Sequence, residues 1–224
     1  MGHAWCMGSS PPPIGRAGMI DALEQAATDA GLMIAGTVED TGTLVLLAAS
    51  PRFWDILQAA PEAAGPDPVD RYSTRIVTAL ADRFGATARF PFGGPPYEPF
   101  IRWAAASGRA WPSPTGMLVH DRAGLMISYR GALAFADVLP VPAPSGPTPC
   151  DTCPDQPCTT ACPVGALSGT TPYDVPACHG FLDTPPGRDC LDLGCAARRA
   201  CPVSAAFGRD PAQSAHHMRA FHHT

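Results

Sequence analysis

The sequence predicts an α+β fold: an N-terminal domain of mixed helices and sheet, followed by a small, loop-rich, cysteine-dense domain. Three observations carry this. Hairpin-like strand pairs and helices mix in the first part out of strict strand–helix alternation, which argues against a doubly wound parallel sheet. Eight of the nine cysteines lie between Cys150 and Cys201. The stretch Val138 to Pro149 (VLPVPAPSGPTP) has no periodicity and reads as a semi-rigid linker. With 224 residues and 46% apolar composition, the chain has room for one to two domains with a real core. The expected division is 19–139 for the α+β domain, 140–149 for the linker, 150–205 for the cysteine domain and 206–224 for a polar, solvated tail. Residues 1–18 (from MGHAWCMGSSPPP onward) lack either periodicity and are expected to be disordered or extraneous to the native chain.

Taken in order, Met19 to Ala30 repeats apolar residues at helical spacing (Ile20, Leu23, Ala27) up to Gly31. Leu32 to Val38 and Thr43 to Ala49 read as buried strands joined through Glu39-Asp40-Thr41-Gly42. Ser50-Pro51 is a cap followed by a first-turn proline, opening a helix over Arg52 to Ala60. The strongest helix follows, with Asp67 as cap, Pro68 in the first turn, Val69, Tyr72, Ile76, Val77, Leu80 and Phe84 on one face, and Gly85 as stop. Strands are expected at Ala86 to Phe90, Met117 to His120, Leu125 to Tyr129 and Ala132 to Phe135, with a short helix from Phe100 to Ser107.

Composition excludes several functions. The net charge is −5, and the fifteen basic residues, all arginine, form no stripe, so the footprint of a nucleic-acid binder is missing. No apolar run is long enough for a membrane span, and no secretory signal is evident, so a cytoplasmic location is expected. The loop Arg89 to Phe100 (RFPFGGPPYEPF) is preset by Gly93-Gly94 and four prolines. Its Phe92 and Tyr97, with Arg102, Trp103 and Tyr129, are the candidates for lining a cofactor pocket, although aromatic residues flanking a loop more often plug a core. Gly93-Gly94 lacks the pattern of a phosphate loop, His120-Asp121 reads as a strand end, and no nucleophile elbow is present.

The cysteines carry the chemistry. Cys150-Asp-Thr-Cys153-Pro-Asp-Gln-Pro-Cys158-Thr-Thr-Ala-Cys162-Pro163 is a C-x2-C-x4-C-x3-C-P run, and a second set, Cys178, Cys190, Cys195 and Cys201-Pro202, also ends in Cys-Pro. The bacterial ferredoxin run C-x2-C-x2-C-x3-C-P donates its fourth cysteine to the other cluster of a two-cluster protein. Two Cys-Pro pairs therefore suggest reciprocal donation in a dicluster ferredoxin-like domain: Cys150, Cys153, Cys158 and Cys201 for one [4Fe–4S] cluster, and Cys162, Cys178, Cys190 and Cys195 for the other. Zinc in two tetrathiolate sites is the serious rival, and a single cluster on Cys150, Cys153, Cys158 and Cys162 is a further alternative. Disulfides fit the expected compartment poorly. Cys6 is expected to be a free thiol, and His216, His217, His222 and His223 to be part of the solvated tail.

The segment from about Arg109 to Ser204 resembles the iron–sulfur half of epoxyqueuosine reductases and, more distantly, of corrinoid reductive dehalogenases. The matching stretches are Ser113-Pro-Thr-Gly-Met-Leu-Val-His-Asp-Arg-Ala-Gly124, Tyr129-Arg-Gly-Ala132, the Cys150 run with Cys162-Pro-Val-Gly-Ala-Leu167, and Tyr173 to Leu182 around Cys178. The resemblance implies that Cys178 is a ligand. The family's usual spacings are x2, x2 and x3 where this chain has x4, x4 and x5, and its catalytic acid has no match here. Three functions follow as expectations. The leading one is an electron-transfer protein with two [4Fe–4S] clusters and a redox partner protein, in which Asp151, Asp155, Asp183, Asp189 and Asp192 lower the cluster potential by their charge. The second is a reductase with a corrinoid or flavin in the first domain. The third is a zinc-stabilised binding module.

Overall fold

The computed structural model describes residues 16–39, 41–141 and 146–222. Helix α1 (Arg16–Asp29) leads into strands β1 (Leu32–Glu39) and β2 (Thr43–Ala49), then α2 (Phe53–Gln58), α3 (Pro68–Phe84), β3 (Thr87–Arg89) and α4 (Phe100–Ala106). A ribbon of β4 (Ala110–Pro112) and β5 (Leu118–His120) precedes β6 (Tyr129–Phe135). Beyond the proline-rich stretch come α5 (Val175–Leu182), α6 (Arg188–Leu193), α7 (Ala196–Ala200), α8 (Pro202–Phe207) and α9 (Pro211–His222). The fold is α+β, built on an antiparallel sheet in the order β1-β2-β6-β3. No helix among the described residues is long and apolar enough to cross a membrane.

Strand β2 reads Thr-Leu-Val-Leu-Leu-Ala-Ala with no polar alternation because both of its faces are covered. Val45, Leu47 and Ala49 pack with Leu23 of α1, Phe53 and Leu57 of α2, and Tyr72 and Val77 of α3. Leu46 and Ala48, on the opposite face by the period-two geometry of a strand, pack with Met33, Phe100 and Ala104. Each buried leucine here is worth roughly 1.5–3 kcal/mol of transfer free energy, so this central strand anchors two layers at once.

Several expectations hold: the hairpin at 32–49, the long helix with Pro68 in its first turn and Gly85 at its end, and the helix at Phe100. Others are corrected. Asp67 does not cap α3, since its own backbone is left-handed (φ 46°) and its side chain makes no cap bond. The second helix starts at Phe53, with Ser50 Oγ accepting the Arg52 N–H just upstream. Helix α1 starts at Arg16 instead of Met19, and residues 1–15, including Cys6, lie outside the described residues. Part of the expected linker, 142–145, and His223 also lie outside them.

Leu125 to Ser128 is not a strand, and the reason is tertiary. The Leu125 N–H donates to Ser204 Oγ (2.8 Å), and the Leu125 carbonyl accepts from Arg198 Nη1 (2.9 Å), so α7 and α8 take the backbone groups that a ladder would use. Nor are residues 206–222 a solvated tail. Helix α9 packs on α6 and buries Gln213, Ser214 and Ala215.

His120 joins β5 to β1. Its Nδ1 accepts the N–H groups of Arg122 (3.1 Å) and Ala123 (3.3 Å), which leaves Nε2–H to donate to the Ala35 carbonyl (2.9 Å). Desolvation holds the imidazole below its ordinary pKa, outweighing the pull of Asp121, whose carboxylate is shared with the Arg109 guanidinium. Below pH 6.5 the unfolded chain binds a proton at this position that the fold refuses, so stability is present above that pH and falls as the medium is acidified. One titrating group contributes at most about 1.4 kcal/mol per pH unit. Thermal midpoints measured anaerobically between pH 7.5 and 5.5 check it: His120→Gln, which keeps a donor and an acceptor but does not titrate, is expected to show the shallower acid slope, and parallel slopes refute it.

Candidate metal centres

The eight described cysteines are all free thiols, carried on turns and short helices instead of in the sheet. The Cys150 N–H donates to Thr148 Oγ1 (3.3 Å), and the Cys153 N–H reaches back toward the Cys150 carbonyl (3.4 Å), so the C-x2-C pair sits on one tight turn. Cys158 is buried on the single 3-10 turn Pro157–Thr159, which Pro157 opens. Cys201 lies at the joint between α7 and α8, extended (φ −65°, ψ 122°), with Pro202 starting the next helix. Because α7 packs on the Pro157–Thr159 turn, Cys201 arrives beside thiols some fifty residues upstream. Cys150, Cys153, Cys158 and Cys201 together line one cavity of about 200 Å³. Its other walls are largely apolar, with Val119, Leu125 and Val203 among them.

The second set is built on helices. Asp174 Oδ1 caps α5 by accepting the Ala177 N–H (2.9 Å), which fixes the turn bearing Cys178. Cys190 is buried within α6, and Cys195 stands at the start of α7, one residue after Gly194. Electrostatics separates the two groups. Burial pushes the Cys158 thiol up first, and the thiols that add to the shift are Cys201, Cys150 and Cys153. Burial likewise raises Cys178, with Cys195, Cys162 and Cys190 adding to it. The Tyr173 hydroxyl beside it pulls that pKa the other way. Cys150, Cys153, Cys158 and Cys201 thus share one cavity, and Cys195, Cys162 and Cys190 are the thiols that act on Cys178. Among the described residues, no three His, Cys, Asp or Glu groups are arranged to hold a metal ion.

Of the five aspartates expected to add negative charge, two are compensated by arginine and a third is hydrogen-bonded to a histidine. Asp189 pairs with Arg199, Asp192 with Arg219 (2.6 Å) and Asp183 with His222 (3.0 Å). Their effect on a neighbouring potential is correspondingly reduced.

The five candidate pocket residues do not converge. Arg102 and Trp103 share one open cavity with Glu98 and Arg89, and neither Phe92, Tyr97 nor Tyr129 lines it. Tyr97 is 66% exposed, Phe92 packs on Phe90 (5.3 Å between centroids), and Tyr129 lies in the core beside Phe100. Of the loop's own aromatic residues, Phe100 is buried in the core, Phe90 and Phe92 are partly buried, and Tyr97 faces solvent.

A second cavity, of about 390 Å³, escaped sequence reasoning. It lies among β6, α7 and α9 and reaches two of the thiols, Cys178 and Cys195. Arg130, Arg198, Arg209 and His217 also line it. Desolvation, reinforced by Arg198 and Arg130, pushes Arg209 down to about 9, and desolvation pushes His217 down to about 2. These residues come from β6, α7, the α8–α9 connection and α9, with no shared motif that would unite them along the chain. His216 and His222 are placed apart from that cavity, one near the Trp54 ring (5.4 Å) and the other stacked on His179 (5.2 Å).

No protein-family model matches the chain, and no curated protein matches it. The likeness to the reductases therefore rests on the quoted stretches of sequence alone.

Proposed function

We propose that the chain is an iron–sulfur electron-transfer protein holding two [4Fe–4S] clusters, with residues 150–205 as a dicluster ferredoxin-like region. Cys150, Cys153, Cys158 and Cys201 hold the first cluster, and Cys162, Cys178, Cys190 and Cys195 hold the second. The observation that carries the reading is the crossed grouping of the thiols, in which each Cys-Pro pair serves the set formed mainly by the other run. The donor chemistry fits. Soft thiolates in apolar surroundings suit iron–sulfur ligation, and four thiols around about 200 Å³ suit a guest larger than one ion. A tetrahedral zinc ion with bonds of about 2.3 Å would draw its four sulfurs to within about 3.8 Å of one another. When bound, such clusters supply one-electron transfer. The protein's own part is to bury the sulfurs, to place the Tyr173 hydroxyl beside Cys178, and to present a surface to a redox partner protein. The reductase reading keeps one supporting observation, the larger cavity against Cys178 and Cys195, whose size lies in the range of small-molecule sites, roughly 300–1,000 Å³.

Anaerobic purification with iron, acid-labile sulfide, zinc and cobalt measured per chain tests this. About eight iron and eight sulfide with a broad brown absorbance are expected for two cubanes. Zinc without sulfide overturns the proposal, and stoichiometric cobalt or a flavin spectrum moves it to the reductase.

A further inference from the structure

We propose that the larger cavity is a binding site for a small organic anion, a carboxylate or phosphate ester on an apolar body, gripped by Arg209 with Arg130 and Arg198. The charge argument comes first. Three guanidinium groups line this cavity and no aspartate or glutamate does. Two of them are provided for: Arg130 Nη1 lies 3.3 Å from Asp70 Oδ1 and its Nε donates to the Tyr129 carbonyl, while Arg198 donates to the Leu125 carbonyl.

Arg209 is not. Its Nε and Nη2 are buried without a hydrogen-bond partner among the described residues, and its Nη1 reaches only the sulfur of Met126 at 3.8 Å, a weak acceptor. The charged groups that act on it are Arg198 and Arg130, both cationic. His217 Nε2 is buried and unpartnered in the same way. A buried cation without a counter-charge is strongly destabilising, and a planar guanidinium with free N–H groups is the side chain best shaped to grip a carboxylate or phosphate with two bonds. The strain of Arg209 is relieved by one anionic group.

Size and lining supply the rest of the ligand. The smaller cavity is bounded by all four thiols of its set and measures about 200 Å³. The larger measures about 390 Å³ and meets only Cys178 and Cys195 of the other set. Much of it therefore lies beyond the thiols, where Met117, Met126, Leu167, Met218 and Phe221 form an apolar wall for an organic body. The binding claim stands on the arginines and the cavity. That the anion lies against a redox group, as its electron donor or acceptor, rests on the function proposed above.

Isothermal titration of the anaerobically purified protein, with iron and sulfide measured on the same sample, tests the site. The probes are benzoate, phenyl phosphate, inorganic phosphate and the neutral benzyl alcohol. Saturable binding of benzoate or phenyl phosphate is expected, at least tenfold tighter than inorganic phosphate and than benzyl alcohol, and the preferred probe tells carboxylate from phosphate. Arg209→Met is expected to weaken that binding at least tenfold, with iron content unchanged and the ligand-free melting temperature equal or higher. Absence of saturable binding, equal binding of benzoate and benzyl alcohol, or unaltered affinity in Arg209→Met overturns the proposal. Should Arg209→Met fold poorly, the comparison of the charged and neutral probes on the unmodified protein decides alone. Loss of iron in Arg209→Met together with no ligand binding by the parent protein would make Arg209 the counter-charge of the thiol-bound group instead. Low iron in the parent with intact anion binding would sink the redox reading and leave this one standing.

Discussion

Cys201→Ala is expected to remove the same half of the bound iron as Cys150→Ala, and Cys162→Ala the other half. Proximity along the chain alone would pair Cys162 with Cys150, Cys153 and Cys158 in a single local cluster, whereas the two Cys-Pro pairs suggest the crossed assignment. The structure places Cys201 against Cys150 and Cys158 by packing α7 on the Pro157–Thr159 turn. Cys162 stands instead among the groups acting on Cys178. Removing a ligand leaves its three partners unable to complete the shell, so each loss is close to all-or-none for its own cluster. The double variant Cys150→Ala/Cys201→Ala is then expected to lose no more iron than either single one, because residues of one unit are not additive. Iron counting with low-temperature electron paramagnetic resonance of the reduced variants reads the result. If Cys150→Ala and Cys162→Ala abolish the same signal while Cys201→Ala retains it, the crossed arrangement is wrong.

Gly124→Ala is expected to destabilise the protein by about 2–4 kcal/mol, the scale of a steric clash added to backbone strain, and to loosen the first cluster with it. Gly124 has a left-handed backbone (φ 55°), and a β-carbon there would lie 2.5 Å from the backbone nitrogen of Ser204. That nitrogen belongs to α8, whose first turn follows directly from Cys201, and Ser204 is the residue that takes the Leu125 N–H. The clash therefore falls on the joint that seats Cys201. Gly116→Ala is the control: it has a similar backbone (φ 78°) but nothing within 4 Å of the added atom, so only the strain of roughly 1 kcal/mol should remain. Melting temperature and iron retention under chelator challenge check both variants. Equal behaviour of the two would show that the close approach at Ser204 does not hold the cysteine segment in place.

What was legible in the sequence follows from local physics. The unbroken apolar run Leu44 to Ala49 reads as a strand covered on both faces, and the Val69 to Phe84 stripe as a helix lying on one. The cysteine order, with proline after Cys162 and Cys201, suggested the crossed grouping because that chemistry demands particular residue types in a particular sequence. Less legible were features set by partners far along the chain. Leu125 to Ser128 looked like a strand until Ser204 and Arg198 claimed its backbone groups, and the stretch after Phe207 looked like a tail until α9 was seen covering α6. The three arginines of the larger cavity share no spacing, so no reading along the chain could unite them.

The sequence by itself determined an α+β chain with eight thiols in two Cys-Pro-terminated runs, since strand and helix periodicity and ligand chemistry are properties of neighbouring residues. Only the tertiary structure decided that Leu125 to Ser128 leaves the ladder and that Arg209 is left facing a cavity without a counter-charge. Those outcomes depend on how α7, α8 and α9 pack against the β5–β6 connection, and burial and close approach are set by elements far apart in the chain.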